Sequence, residues 1–169
     1  KSELFQMIHS EALVRNRMFE DASFIIRPLI KKYPNQAFLN KLSAVIAFEK
    51  QNFVESKLKS EKALQSGLKN KNVRLIAAMS AFYLEDFEQA YNHFEAVAGD
   101  IDTSSPEYRI YTSTLLALGY TYEATEAIKS IGSVSVDDLP LVSSTANVLA
   151  SIRNEAEAIS LLELFDEIV

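Results

Sequence analysis

The feature that most constrains this chain is a pattern that returns every 34 residues along its 169 residues. One set of small residues occurs five times at that interval, and a second set precedes it by twelve positions. The first set is Ala22, Ser56, Ala90, Ala124 and Ala158, and the second is Ser10, Ala44, Ala78, Thr112 and Ala146. Several columns at one period, over five cycles without a gap, predict a repeat protein in which each cycle is one structural unit.

Larger residues accompany the first set at separations of three, four and seven positions. Three positions before the first set, the first three cycles have Phe19, Phe53 and Phe87. Four positions after it are Ile26, Ser60, Phe94, Ile128 and Leu162, and seven positions after it are Leu29, Ala63, Val97, Ile131 and Phe165. Residues at these separations share one face of an α-helix. Each cycle is therefore predicted to form two helices, at 3–16 and 19–33, 37–50 and 53–66, 71–84 and 87–98, 105–118 and 121–131, and 139–152 and 155–168.

Glycine and proline are scarce and stand where helices are expected to begin or end. With four Gly and four Pro, the chain has too few turn residues for a sandwich or barrel. Gly119 suits the left-handed residue that ends a helix. Pro106 and Pro140 are expected near the start of a helix, and Pro34 is expected where a helix ends. Pro28 falls inside a predicted helix, which it is expected to bend or break. The segment 132–138 is expected to be a longer loop.

Composition and charge exclude several classes of protein. The chain has 48% hydrophobic and 24% charged residues, no Cys and two His, so a disordered chain, disulfides and Cys-zinc sites are excluded. No apolar run approaches the roughly 18 residues of a membrane span. The net charge of −6 disfavours nucleic acid as a partner. Residues 1–70 carry a net charge of +5 and residues 71–169 one of −11. This difference indicates a solvated surface with uneven charge or, alternatively, a role in partner orientation or head-to-tail assembly.

The period and the small and large columns resemble the tetratricopeptide repeat. The resemblance covers the segments 3–36, 37–70, 71–104, 105–138 and a shorter last cycle, 139–169. It is strongest in 71–104, with Ala78, Phe87, Ala90, Phe94 and Val97. The Trp of the family is absent, and its Leu-Gly-Tyr run is degenerate. The resemblance implies an all-α fold, a right-handed superhelical solenoid of five antiparallel helix hairpins that form one array over 1–169. Another helix-hairpin solenoid is the alternative.

In this family the first helices of successive repeats line an inner groove that binds ligands. The resemblance places eleven residues there as a candidate peptide-binding groove: Met7, Glu11, Phe38, Lys41, Val45, Phe48, Asn72, Leu75, Met79, Phe82 and Arg109. The Lys, Asn and Arg clamp with which some members hold a chaperone's C-terminal carboxylate is missing. Its slots hold Met7, Glu11, Leu42, Asn72 and Ile76. The apolar groove instead suits an amphipathic helix or an extended apolar peptide, or it is covered by another segment. Phe48 and Phe82 are expected to be partly accessible.

No residue pattern indicates catalysis. His9 is expected to pack between hairpins, and His93 is expected to be exposed and without a partner. Asp137 and Asp138 are expected to cap a helix. There is no phosphate-binding glycine loop, nucleophile motif or paired-histidine metal motif. The chain is therefore predicted to be no enzyme and to use no cofactor or metal.

The function expected from the resemblance is a protein-interaction scaffold or a substrate-holding chaperone that binds a protein or peptide. The family analogy suggests bacterial secretion, pilus or envelope assembly. A regulatory or docking domain of a larger enzyme, and an oligomerisation module in a homo-oligomer, are the alternatives. Because the chain begins at Lys1 rather than Met, a piece of a longer or processed protein is expected.

Overall fold

A computed structural model describes residues 2–164 and 166, and the protein is 76% helical, with no strand among these residues. Five pairs of helices follow one another, and all ten predicted helices are present. They are α1 Glu3–Arg15, α2 Phe19–Lys32, α3 Ala37–Glu49, α4 Phe53–Gln65, α5 Lys71–Tyr83, α6 Phe87–Glu95, α7 Pro106–Ala117, α8 Thr121–Lys129, α9 Leu139–Ser151 and α10 Glu155–Glu163. Part of the predicted helix 155–168, and Phe165 in its column, lie outside the described residues.

The small residues at the 34-residue period lie where the two helices of a hairpin meet. All ten residues of the two small sets are buried. Ser56 shows the contact directly, because its hydroxyl donates to the carbonyl oxygen of Ala44 on the facing helix, at 3.1 Å. A small side chain allows the two backbones to approach, and the larger apolar residues fill the space beside the contact. The assignment of the small columns is therefore confirmed.

The tight connection inside each hairpin has the same geometry five times. One residue at each connection has a positive φ, and these residues are also 34 apart: Arg17, Gln51, Glu85, Gly119 and Arg153. The next residue donates its backbone N–H to a carbonyl in the last turn of the first helix, as Asp86 does to Ala81 at 2.9 Å. This is the left-handed helix ending that glycine favours. Only Gly119 was identified from the sequence.

Helix ends account for most departures from the prediction. The predicted helix 87–98 ends early, at Glu95, and a short 3₁₀ helix follows at Ala98–Asp100. The predicted loop 132–138 is irregular at first, but it closes with a 3₁₀ helix at Val136–Asp138. Pro28 does not break α2, which continues to Lys32. Pro106 and Pro140 stand in the first turns of α7 and α9, as predicted.

The helices group into two compact units, residues 1–97 and 98–169. Unit 1 contains α1 to α6, and a core cluster there joins Val14, Ala22, Ile26, Leu42 and Ile46. Unit 2 contains α7 to α10, and its core cluster joins Ile128, Val142, Ala146, Leu149, Ala158 and Leu161. On α10 the large residue in this cluster is Leu161, whereas Leu162, which belongs to the repeating column, is exposed. A single array over 1–169 stays a prediction.

Among the helices that the structure describes, none combines the length and the apolar character that crossing a membrane requires.

Candidate peptide-binding surface

The first helices of the three hairpins in unit 1 lie side by side. α3 contacts both α1 and α5, so the three form one layer, and each also packs on its own hairpin partner. Ten of the eleven predicted groove residues are on these three helices, at intervals that place them on the same side of each helix. The eleventh, Arg109, belongs to unit 2.

The structure exposes these residues to different extents. Asn72 is exposed, whereas Leu75 and Met79 are buried and pack inside unit 1. The other residues of the set in unit 1 are half-buried: Met7, Glu11, Phe38, Lys41, Val45, Phe48 and Phe82. Phe48 and Phe82 therefore have the partial exposure that was expected. Leu75 and Met79 shape the surface from below and offer little area to a ligand, which corrects their assignment as open groove positions.

The charged residues between α1 and α3 neutralise one another. Lys41 Nζ donates to Glu11 Oε1 at 3.2 Å and lies 5.1 Å from the centre of the Phe38 ring. Burial raises the pKa of Glu11, but the hydrogen bond and charge of Lys41, with the charge of Arg15, outweigh it and lower the pKa. Lys41 is thus held by an acidic and an aromatic neighbour, which leaves this part of the surface suited to apolar contacts.

Five aromatic rings meet where the hairpins of α3–α4 and α5–α6 turn, and we call them the aromatic cluster: Phe48, Phe53, Phe82, Tyr83 and Phe87. Within each hairpin one ring meets the next edge-on. The ring centres are 5.6 Å apart for Phe48 and Phe53 and 5.7 Å apart for Phe82 and Phe87. Tyr83 joins the two hairpins by stacking on Phe53 at 4.5 Å. Such pairs stabilise each other beyond the area they bury, so the rings hold one another in place.

The cluster borders a depression of about 420 Å³ lined by Phe48, Glu49, Gln51, Phe53 and Tyr83. Tyr83 is the most open of the five rings, with 47% of its surface exposed. Sequence reasoning singled out Phe48 and Phe82 but missed Tyr83. The signal was available, because Phe48 and Phe53 repeat their spacing in Phe82 and Phe87, and Tyr83 adjoins the second pair.

The guanidinium of Arg109 is held by contacts within unit 2, beside a depression of about 440 Å³ that Arg109 lines together with residues of α7 and α9. Nε donates to Asp138 Oδ1 at 2.5 Å, and Nη2 donates to Asp138 Oδ2 at 3.0 Å and to the carbonyl oxygen of Ser133 at 2.8 Å. Nη1 donates to the carbonyl oxygens of Ser104 and Ser105. The place of Arg109 in the peptide-binding groove stays a prediction. The arginine ties the loop before α9 to the start of α7.

The two histidines differ from their expected settings. His9 is exposed rather than packed between hairpins, and its ring lies near Phe5 on α1. His93 is half-buried, and its Nε2 lies 3.2 Å from Glu61 Oε1, so it is neither exposed nor without a partner. Lys57 contacts both Glu61, at 3.5 Å, and Asp86, at 3.2 Å. This network borders a cleft of about 520 Å³ between α4 and α6.

Among the residues that the structure describes, no group of three or more His, Asp or Glu side chains could hold a metal ion. Asp138 is tied to Arg109 and to the backbone N–H of Ser135, in the capping role that the sequence suggested.

The surface of unit 1 offers aromatic and aliphatic contact area bordered by paired charges. That arrangement is suited to binding.

Comparison with known proteins identifies the fold. No protein-family profile matches the chain, and neither does any curated protein. Solved structures do match. YrrB, described as a TPR protein with an unusual peptide-binding site, is 15% identical, with a TM-score of 0.79 over 94% of this chain and 81% of that chain. A structure of MamA (AMB-1) is 11% identical, with a TM-score of 0.82 over 99% of this chain and 98% of that chain.

A further MamA structure, residues 41 to the end from Desulfovibrio magneticus RS-1, is 10% identical. Its TM-score is 0.72, over 98% of this chain and 93% of that chain. These matches confirm the predicted fold class, an all-α solenoid of the tetratricopeptide-repeat type. At such low identity they concern the fold alone.

Proposed function

We propose that this chain is a protein-interaction module that performs no catalysis and binds an apolar segment of a partner protein through α3 and α5 of unit 1. The observation that carries the proposal is the aromatic cluster. Its five rings fix one another, and they stand beside an open depression at the ends of two neighbouring helices. Aromatic side chains supply large contact areas at low entropic cost and are enriched among the residues that dominate binding energy.

The fold supports the proposal independently. YrrB, which shares it, is described as having a peptide-binding site. The half-buried Phe38 and Val45 extend the apolar surface along α3 from the cluster. An amphipathic helix or an extended apolar peptide has the complementary chemistry, since either presents side chains at regular intervals to such a surface.

The experiment is selection of binding peptides from a random displayed library, followed by affinity measurements on variants. Tyr83→Ala removes the most exposed ring of the cluster, and Tyr122→Ala removes a ring that is 74% exposed on α8, outside the cluster. We expect Tyr83→Ala to weaken binding about thirtyfold, the loss typical of an aromatic anchor, and Tyr122→Ala to leave it unchanged. Equal affinities of the two variants, or a library that yields no binder, would contradict the proposal.

Phe48→Ala and Phe82→Ala are expected to weaken binding similarly, but each also removes an edge-on contact within its own hairpin. Their affinities therefore need a thermal melt beside them. A loss of roughly 3–5 kcal/mol in stability would assign these rings to the core rather than to binding. Tyr83→Ala needs the same melt, because it removes the stack on Phe53, but its expected loss of stability is smaller since 47% of the Tyr83 surface is exposed.

The finer expectations rest on family analogy: a substrate-holding chaperone, and a place in bacterial secretion, pilus or envelope assembly. A docking or regulatory domain of a larger enzyme uses the same surface in the same way. Capture of partners from the native source, with Tyr83→Ala as the negative control, identifies the partner. A catalytic domain in the full-length chain of this protein favours the docking role, and capture of an unfolded client favours the chaperone.

A further inference from the structure

Neighbouring hairpins of unit 1 enclose two clefts at equivalent places in the repeat. The first cleft, of about 260 Å³, lies where α2, α3 and α4 meet, and the second is the cleft of about 520 Å³ between α4 and α6. Three lining positions of the first recur 34 residues later in the second: Ser23, Arg27 and Lys59 correspond to Lys57, Glu61 and His93. The two clefts can therefore be compared position by position.

The equivalent positions carry different charges in the two clefts. In the second cleft an acid lies between two bases, because Glu61 Oε1 is 3.2 Å from His93 Nε2 and 3.5 Å from Lys57 Nζ. In the first cleft Arg27 occupies the position of Glu61, and Lys59 occupies that of His93. Two cations thus line the first cleft at the positions where the second cleft has an acid and its partner.

No residue that the structure describes forms an ion pair with Arg27 or Lys59. Glu20 attracts Arg27 through its charge, but the Glu20 carboxylate is exposed to water and accepts a hydrogen bond from Lys50, at 2.5 Å. Two like charges that share a cleft repel each other, and an anion between them removes that cost. The charge of the first cleft therefore favours an anionic ligand.

The rest of the lining supplies further donors and an apolar floor. Ser23 and Ser43 are half-buried, and their hydroxyls bond to no residue in the described part of the chain, so each is available to donate a hydrogen bond. The buried side chains of Ile26 and Ile46 form the floor. Hydrogen bonds to a charged group are stronger beside such apolar surface than in water. The lining fits an anion that is carried next to an apolar group.

The volume of the first cleft and its one acid decide which anion fits. A volume of about 260 Å³ is below the roughly 300–1,000 Å³ of sites for drug-sized ligands, so the cleft suits one or two side chains rather than a nucleotide. Glu55 also lines the cleft and accepts a hydrogen bond from Asn52, at 3.1 Å. Its charge repels a doubly charged phosphate more than a singly charged carboxylate. The planar guanidinium of Arg27 can bind both oxygens of a carboxylate.

We propose that the first cleft binds the carboxylate of an Asp or Glu side chain of a partner protein between Arg27 and Lys59. An apolar side chain next to that acid in the partner then packs on the floor of the cleft. Ser43 and Ile46 lie on the side of α3 opposite to Lys41 and Phe48, since the two pairs are about half a turn apart around the helix. This site is therefore separate from the aromatic cluster, and the proposal stands or falls independently of it.

The test is an NMR titration of the ¹⁵N-labelled chain with three blocked tripeptides, whose only ionisable group is at the centre. The probes are acetyl-Leu-Glu-Leu-amide and its counterparts with Gln and with phosphoserine in place of Glu. We expect the Glu peptide to shift the amide signals of the first cleft, less so as salt is raised. The Gln peptide should bind about tenfold or more weakly, because it loses the charge-assisted hydrogen bonds. The phosphoserine peptide should bind no more tightly than the Glu peptide.

Variants of the two clefts locate the site. Arg27→Gln and Lys59→Gln should each weaken binding of the Glu peptide about tenfold. Arg27→Glu, which supplies the acid that the second cleft has at this position, should abolish it. The matched control is Arg74→Gln, which removes a cation from the lining of the second cleft and should leave the affinity unchanged. Amide signals that keep their positions away from the first cleft show that each variant is folded.

The proposal is overturned if the Glu and Gln peptides bind equally, or if neither of them binds. It is also overturned if Arg74→Gln weakens binding as much as Arg27→Gln, since the carboxylate would then bind in the second cleft. Tighter binding of the phosphoserine peptide would overturn the choice of a carboxylate and assign the cleft to a phosphorylated partner.

Discussion

Replacing Asp138 by alanine should lower the stability of unit 2 more than removing any other charged side chain from the loops of unit 2. The carboxylate is 2% exposed and receives two hydrogen bonds from Arg109 and one from the backbone N–H of Ser135. Its removal leaves a guanidinium without its counter-charge and frees the loop before α9. Loss of one partner of a buried ion pair costs about 3–5 kcal/mol. Because the Arg109 side chain is 25% exposed and water can reach it, we expect a loss of about 2–3 kcal/mol.

The pH dependence of this loss follows from the pKa of Asp138. Burial raises that pKa, but the hydrogen bonds from Arg109 and Ser135 and the charge of Arg109 outweigh it, so the pKa is lowered on folding. A carboxylate with a lowered pKa stabilises the fold above its unfolded pKa of about 3.9 and loses that contribution as pH falls through the folded value. The stability difference between the unaltered chain and Asp138→Ala should therefore be full at neutral pH and shrink below about pH 4.

The assay is urea unfolding followed by circular dichroism between neutral and acid pH. Asp137→Ala is the matched control, since it removes the neighbouring, exposed carboxylate and should change stability by less than about 0.5 kcal/mol. Equal stabilities of the two variants at neutral pH would refute the assignment of Arg109 to a structural role. A difference that persists unchanged in acid would refute its electrostatic origin.

The remaining predictions concern the repeat geometry. Gly119→Ala should destabilise the chain by about 1–2 kcal/mol, because a Cβ has open space there but the left-handed backbone disfavours it. Glu85→Gly, at the equivalent position of another hairpin, should stabilise the chain by about 0.5–1 kcal/mol. Thermal melts that shift in opposite directions for these two variants would show that the two hairpin connections have the same left-handed geometry. Ala90→Leu should overpack a hairpin contact and cost about 1–3 kcal/mol, whereas an unchanged melting temperature would show that the small column has another role.

The helices and their pairing could be predicted from the sequence because both follow from periodic constraints. A helix must repeat its apolar residues at intervals of three and four, and a close hairpin needs a small residue at the contact. Ala22 and Ala90 satisfy both constraints in the same way, so the 34-residue period can be recognised from this one sequence. The end of α6 at Glu95 was missed because helix ends depend on local hydrogen bonds that periodicity does not encode.

The candidate site was less accessible to sequence reasoning. The ion pair of Arg109 could not be predicted, because a column states which helix face a residue occupies, but not whether a loop 29 residues later supplies a carboxylate. His93 was misjudged for the same reason, since Glu61 lies on the neighbouring hairpin. The left-handed residues Arg17, Gln51 and Glu85 carry no glycine signal, because the hairpin geometry imposes the backbone conformation against their preference.

Site-specific photo-crosslinking shows whether partners bind at the aromatic cluster of unit 1. A photoreactive phenylalanine analogue is placed at position 83 in one preparation and at position 122 in another. Each preparation is irradiated with a selected peptide, and the joined residues are identified by mass spectrometry. We expect efficient crosslinks from position 83 to the apolar residues of the peptide and none from position 122. Crosslinks from position 122 and none from position 83, with the peptide bound, would show that partners bind elsewhere.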